Sequence, residues 1–228
     1  MILASPERIA EYTAQGWWGQ RTLHAGFAEA VARHPQREAV VDAPNRADLT
    51  DGAPRRLTYA QLAEEVDQLT VRLWRLGLRR DGIVIVQLVN SVEQFAVYLA
   101  CLRLGLIVSP VPVQYREHEL QQILTLTQAR AVITTTRALK HATAQMWAGL
   151  AQQHASLAHV LSFGQAVPAG VQALEALGAA AQVPRSADAQ TRFAQDLAAV
   201  SAIADAVSAN DIATLCWTSG TEAAPKGV

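Results

Sequence analysis

Leu62, Val66, Leu69, Leu73 and Leu76 recur at intervals of four and three residues, the spacing that lines one face of a helix. Thr58 stands just before this stripe with Gln61 three positions on, a capping-box spacing, and Gly77 closes it, so the pattern predicts a helix from Thr58 to Leu76. Short apolar runs then alternate with longer amphipathic ones. The predicted order is strand Ile83 to Leu88, helix Ser91 to Leu104, strand Ile107 to Val111, helix Glu117 to Thr127, strand Ala131 to Thr134, helix Ala138 to His154 and strand Val160 to Phe163. The strands are continuous apolar runs rather than alternating ones, as in a parallel sheet covered by helices on both faces. The fold class read from this order is α/β, an open doubly wound, mostly parallel sheet flanked by helices.

Upstream, Leu23 to Arg33 reads as a helix stopped at His34-Pro35, and Ala39 to Asp42 as a short strand. Pro44 to Pro54, rich in Asn, Asp and Gly, reads as an exposed hairpin or loop. Ala169 to Ala204 is rich in Ala and Gln and reads as helical patches separated by a linker, before a final strand from Ile212 to Trp217. Three stretches follow: an α/β subdomain over 1–168, a helical or linker segment over 169–210, and a strand plus loop over 211–228 that opens a further subdomain.

Composition narrows the picture. Half of the 228 residues are hydrophobic, 17% are charged and the formal net charge is −1, so the chain is globular, with no basic footprint for a nucleic acid. The most membrane-like stretch, Phe95 to Val113, is broken by Arg103, Gly105, Pro110 and Pro112, and no membrane span is expected. Met1 to Tyr12 carries Glu7, Arg8 and Glu11 and no secretory pattern. Cys101 and Cys216 each lie inside an apolar run and read as buried, inert thiols, which together with the absent signal points to the cytoplasm. The six histidines form no H-x-x-x-H pair, so no metal site is assigned. Glu65 reads as part of a solvated helix face and His118 as a surface residue.

The candidate chemistry lies in the last eleven residues, Thr218 to Val228, TSGTEAAPKGV. Small residues let backbone N–H groups approach an anion, hydroxyls add donors, and one lysine supplies a point charge. An ordinary turn has the same composition. It is not a Walker loop, which needs a Lys followed by Ser or Thr after its second Gly.

The ordered string resembles the signature loop of the AMP-forming adenylating enzymes, commonly written T-S-G-T-T-G-x-P-K-G. Thr218, Ser219, Gly220, Thr221, Pro225, Lys226 and Gly227 match in order, seven of nine specified positions, whereas Glu222 replaces Thr and Ala223 replaces Gly. Further stretches are similar to that superfamily's N-terminal region: Leu57 to Leu62 (LTYAQL), Asn90 to Gln94, Ala100 to Pro112 (ACLRLGLIVSPVP) and Gln114 to Leu120 (QYREHEL). The opening, Glu7 to Thr22 with Trp17-Trp18-Gly19, resembles the branch that activates aryl, alicyclic and medium-chain acids.

The resemblance implies the N-terminal part of the large domain of an adenylating enzyme, an acid–CoA ligase. Its substrates would be a small carboxylic acid and ATP with Mg²⁺, and coenzyme A would be the acyl acceptor. Thr218, Ser219, Gly220, Thr221, Glu222, Lys226 and Gly227 would form the nucleotide-binding loop, with Gly227 letting the backbone turn. No catalytic residue is assigned, because the family's acid pocket, metal-binding Glu, ribose-binding Asp and late lysine all lie downstream of this loop. An open sheet edge would favour self-association. Two other readings stand beside this one: a non-catalytic remnant acting as a binding module, and an unrelated α/β nucleotide-binding protein.

Both departures have a physical consequence: Ala223 narrows the backbone freedom that Gly would give, and a Glu222 carboxylate aimed at a triphosphate would weaken binding, since two unit charges ~4 Å apart interact by about 4 kcal/mol at an effective dielectric near 20. Calorimetry of MgATP binding separates its roles. Glu222→Thr tightens binding if the carboxylate faces the triphosphate and weakens it if the carboxylate holds the metal; no change places it in solvent.

Overall fold

The computed structural model describes residues 1–174, 186–218 and 226–227. In chain order its elements are α1 (Pro6–Ala14), α2 (Leu23–Arg33), β1 (Glu38–Val41), α3 (Arg46–Leu49), β2 (Arg56–Thr58), α4 (Tyr59–Arg75), β3 (Ile83–Val86), α5 (Val92–Arg103), β4 (Ile107–Pro110) and α6 (Glu117–Thr127). There follow β5 (Ala131–Thr135), α7 (Thr143–Ala151), β6 (His159–Phe163), β7 (Gln172–Ala173), α8 (Ala187–Asp205), β8 (Trp217–Thr218) and β9 (Lys226–Gly227).

The central sheet runs β4-β3-β5-β6-β7, with every neighbouring pair parallel. The first strand of this sheet in the chain is therefore an inner one, and the chain winds to either side of it. One apolar cluster joins α4, α5 and α8 to one set of strand faces through Leu69, Leu73, Val97, Leu104, Val86, Ile133 and Val200. A second joins α6 and α7 to the opposite set through Ile85, Val132, Leu120, Ile123, Trp147 and Val160. The doubly wound, helix-flanked sheet expected from the apolar runs is thus the architecture observed.

Local signals explain the best-matched elements. Thr58 accepts from the Gln61 backbone N–H at 3.3 Å and the Gln61 side chain accepts from the Thr58 N–H at 2.9 Å, so the capping box is complete. Gly77, at φ +80°, ends the helix in the left-handed region that favours glycine. The helix expected over Ala138 to His154 is shorter, Thr143–Ala151, because residues 138–141 form a tight bridge with Leu139 at φ 56°. In the Ala- and Gln-rich segment, α8 is one continuous helix, tied to α4 by Arg75 and Asp196 and to α5 by Arg103 and Ser201. The linker expected there falls largely on residues 175–185, outside the described residues.

Two expectations about polar residues are overturned. The stretch Pro44 to Pro54 is not a wholly exposed loop: it contains α3, and Arg46 is 4% exposed. Arg46 donates to Glu93 at 2.8 Å, to Asp42 at 3.1 Å and to the Thr50 hydroxyl at 2.8 Å. Asp42 also accepts from the backbone N–H groups of Val92 at 2.9 Å and Arg55 at 3.0 Å, which fastens this segment to the start of α5. Glu65 is not on a solvated face. It is 4% exposed and paired with Arg55, which also faces Glu93 at 3.7 Å. The heptad-like stripe concealed this, because Glu65 adjoins Val66 and lies close enough to the buried side to reach Arg55.

The buried cluster holds three carboxylates against two guanidinium groups, and the imbalance falls on Glu65. Burial, only partly offset by Arg55 and reinforced by the Glu93 and Glu64 charges, pushes its carboxyl from 4.5 to about 7. Glu93 moves the other way, held low by Arg46 against the cost of burial. Between the two Glu65 values the folded chain keeps a proton that the unfolded chain has lost, so stability falls as pH rises through that window. Wild type should therefore lose stability relative to Glu65→Gln between pH ~4.5 and ~7, then run parallel to it. Parallel denaturation curves for the two proteins from pH 4 to 9 would contradict this.

Candidate functional site

The candidate loop is built on the edge strand β4. Val108, fully buried, donates its N–H to the Ala213 carbonyl at 3.0 Å, and its own carbonyl accepts from Leu215 N–H at 2.9 Å. These two bonds lay residues 213–215 parallel to β4, with Thr214 opposite Val108. The final strand expected over Ile212 to Trp217 is thus a short parallel bridge followed by β8. At this register Trp217 and Thr218 emerge at the carboxyl end of β4.

Trp217 is anchored rather than merely apolar. Its indole Nε1–H donates to Ser109 Oγ on β4 at 2.8 Å, and its ring packs against the cluster that includes Val111 and Leu120. Opposite it, β8 and β9 form an antiparallel ladder that pairs Trp217 with Gly227 and Thr218 with Lys226. Gly227 accordingly lies in a ladder and not at the turn expected for it. A Cβ there would stand 3.1 Å from Leu215 Cδ1 and 3.5 Å from the Trp217 ring, so glycine suits a close packing contact.

The structure therefore brings Thr218, Lys226 and Gly227 together, at the carboxyl edge of the parallel sheet. Ser219, Gly220, Thr221 and Glu222 lie outside the described residues. Cys216 departs from expectation: it is a free, exposed thiol, whereas Cys101 is fully buried and its thiol is pushed up to about 12 by burial.

In open α/β sheets ligands commonly sit where the strand order reverses, at the carboxyl ends of the strands. Here that point lies between β3 and β5, and Gln87, which follows β3, is tied there by side-chain hydrogen bonds. Gln87, with no exposed surface, donates through Nε2 to the carbonyls of Pro112 at 3.1 Å and Tyr115 at 3.2 Å. Its Oε1 accepts from Trp147 Nε1–H at 2.7 Å. Thr134 closes the other side by donating its hydroxyl to the Gln87 carbonyl at 3.1 Å. The candidate site accordingly sits one strand away, on the outer flank of β4.

Sequence reasoning missed Gln87, Ser109, Trp147 and Trp217 as a supporting framework. The available signal was polarity out of place: Gln87 interrupts the run from Ile83, and Ser109 interrupts the run from Ile107. Among the described residues no group of three or more His, Cys, Asp or Glu could hold a metal ion, and no helix is long and apolar enough to cross a membrane.

The family model for AMP-binding enzymes matches residues 27–228. The chain belongs to the AMP-binding enzyme family. It is 31% identical to the 2-hydroxy-7-methoxy-5-methyl-1-naphthoate–CoA ligase of Streptomyces carzinostaticus, over 95% of this chain and 36% of that one. It is 32% identical to the salicyl-AMP ligase / salicyl-S-ArCP synthetase of Mycobacterium tuberculosis, over 71% of this chain and 28% of that protein. Among solved structures, apo MbtA of Mycobacterium smegmatis superposes with a TM-score of 0.70 at 22% identity, over 100% of this chain and 37% of its own. The chain thus spans about a third of the length of these relatives, and the solved structure shares its fold.

The Gln87 framework is testable on the isolated chain. Trp147→Phe keeps a ring but leaves Gln87 Oε1 buried without its donor, and should destabilise by about 1–3 kcal/mol. Urea unfolding with an unchanged m-value measures it. A loss within error of zero would mean that Gln87 does not depend on the indole.

Proposed function

We propose that the protein activates a carboxylic acid with ATP, and that the loop from Thr218 to Gly227 binds the β- and γ-phosphates. The observation that carries the reading is the placement of this loop. Its two ends are joined by the β8–β9 ladder at the carboxyl edge of a parallel sheet, with Thr218 directly opposite Lys226. A string of hydroxyl and glycine residues between these two ends, with a lysine on the returning strand, fits a triphosphate, and membership of the AMP-binding family supports that assignment.

In this reaction a carboxylate oxygen attacks the α-phosphorus of ATP, pyrophosphate leaves, and the acyl adenylate passes its acyl group to a thiol with release of AMP. The acid alone is a poor acyl donor, and adenylation supplies the leaving group. The chain's own contribution is to hold and orient the phosphates while charge moves onto the departing pyrophosphate. Lys226 offsets that charge, and the hydroxyls of Thr218, Ser219 and Thr221 donate to phosphate oxygens. Mg²⁺ would supply further neutralisation when bound. Glu222 is the one carboxylate within the loop's sequence that could reach such an ion.

The acid is proposed to be aromatic, since the printed names of the relatives above include a naphthoate and a salicylate ligase. The 25% identity to the medium-chain fatty-acid–CoA ligase of Escherichia coli keeps aliphatic acids in the test panel. Coenzyme A is the proposed acceptor, on the strength of the naphthoate–CoA ligase; the salicyl-S-ArCP synthetase makes a carrier-bound thiol the second reading. We further propose that these 228 residues bind MgATP without completing the reaction, because one phosphate loop does not orient both the acid and the α-phosphorus.

Lys226→Ala should weaken MgATP binding by about ten- to a hundredfold, the loss of one charge-assisted contact. Equal affinities of the two proteins by calorimetry would remove the phosphate role. Acid-dependent ATP–pyrophosphate exchange by residues 1–228 with salicylate, benzoate or octanoate would overturn the proposed incompleteness.

A further inference from the structure

The ladder that closes the loop is short. Two residues pair with two, Trp217 with Gly227 and Thr218 with Lys226, and a hairpin of that size has little stability of its own in water. Something outside the hairpin must hold it against the sheet. Among the described residues the parallel backbone bonds to β4 run as far as Leu215. Beyond that point Trp217 reaches back, passing its indole N–H to Ser109 Oγ on a fully buried position of β4. Its ring contacts the apolar cluster on one side and closely approaches Gly227 on the other. One side chain thus touches the sheet, the core and the returning strand that bears Lys226.

We propose that Trp217, seated on Ser109, is the positioning residue of the phosphate loop: it sets where Thr218 and Lys226 stand relative to the sheet. The inference rests on the phosphate-binding reading of the preceding subsection. Its physical basis is tolerance. Ligand-binding groups must be held to about 0.5 Å, and supporting residues locked by packing and hydrogen bonds provide that precision. Trp217→Phe would remove both the N–H that Ser109 Oγ accepts and the far edge of the ring that faces Gly227, whereas Ser109→Ala removes the hydrogen bond alone. The loop would stay attached while losing the bond that fixes its height along β4.

The test uses calorimetry on the 228-residue chain with two probes, MgATP and inorganic tripolyphosphate, which reports the phosphate contacts without the nucleoside. Trp217→Phe and Ser109→Ala should each weaken both probes by roughly three- to tenfold, the net size of one hydrogen bond. The double variant should be no weaker than Trp217→Phe alone, because Ser109→Ala removes only the bond that Trp217→Phe already lacks. A purely structural role would leave Lys226 unaffected; a positioning role predicts coupling. Lys226→Ala should therefore cost fewer-fold in the Trp217→Phe background than in wild type. Hydrogen exchange should rise at 213–218 and 226–227 and stay unchanged in β5 and β6.

Unchanged affinity in Trp217→Phe, with the full Lys226→Ala loss retained in both backgrounds, would overturn the inference and leave the phosphate reading standing. If Lys226→Ala has no effect in wild type, the phosphate reading itself fails. Ser109→Ala removes only one oxygen from a buried strand and carries the same comparison should Trp217→Phe not fold.

Discussion

The outward-facing peptide groups of Val108 constrain everything at this site. Val108 lies on β4 with no exposed surface, and its N–H and carbonyl point away from β3. Left unpaired they would cost about 1–3 kcal/mol each, so the fold must supply a partner segment. Residues 213 and 215 are that segment. Because parallel pairing fixes register, the same two bonds determine that Trp217 and Thr218 emerge at the carboxyl end of β4. The position of the loop is thus a consequence of completing a buried strand.

A second framework holds the same end of the sheet from the other side. Arg46 and Asp42 draw the segment between β1 and β2 against the start of α5, and Arg137 of the chain after β5 donates to Asp51 and to the carbonyls of Ala47 and Thr50. Gln87 and Trp147 pair through a buried hydrogen bond that ties the end of β3 to α7. Charge is also economical here. Three carboxylates share two guanidinium groups, and burial pushes up the carboxyl paired with the less buried arginine, Glu65.

Much of the scaffold was legible in the amino-acid order. The leucine stripe and its capping box marked α4, and the continuous apolar runs marked β3 to β6 and implied a sheet covered on both faces. The loop was legible as a string of residue types. What escaped was polarity with a buried destination. Arg46 sits among Asn, Asp and Pro, a composition that signals solvent, and Glu65 follows another Glu on a helix whose apolar stripe fixes only part of its circumference. Neither has a local cue, because the partners that make burial tolerable, Glu93 for Arg46 and Arg55 for Glu65, come from distant or differently structured stretches.

The sequence by itself determined the alternation from α4 to β6, the parallel α/β class and the string proposed to hold an anion, because periodicity, caps and a glycine–hydroxyl–lysine string are local properties. Only the tertiary structure decided where that string stands. Trp217 is one more apolar letter in a run until Ser109, 108 residues earlier, accepts its N–H, and Gly227 is a turn residue on paper until Leu215 and the Trp217 ring take the space a side chain there would need. Side-chain hydrogen bonds between distant strands depend on register and on which face is buried, and both emerge only when the sheet assembles.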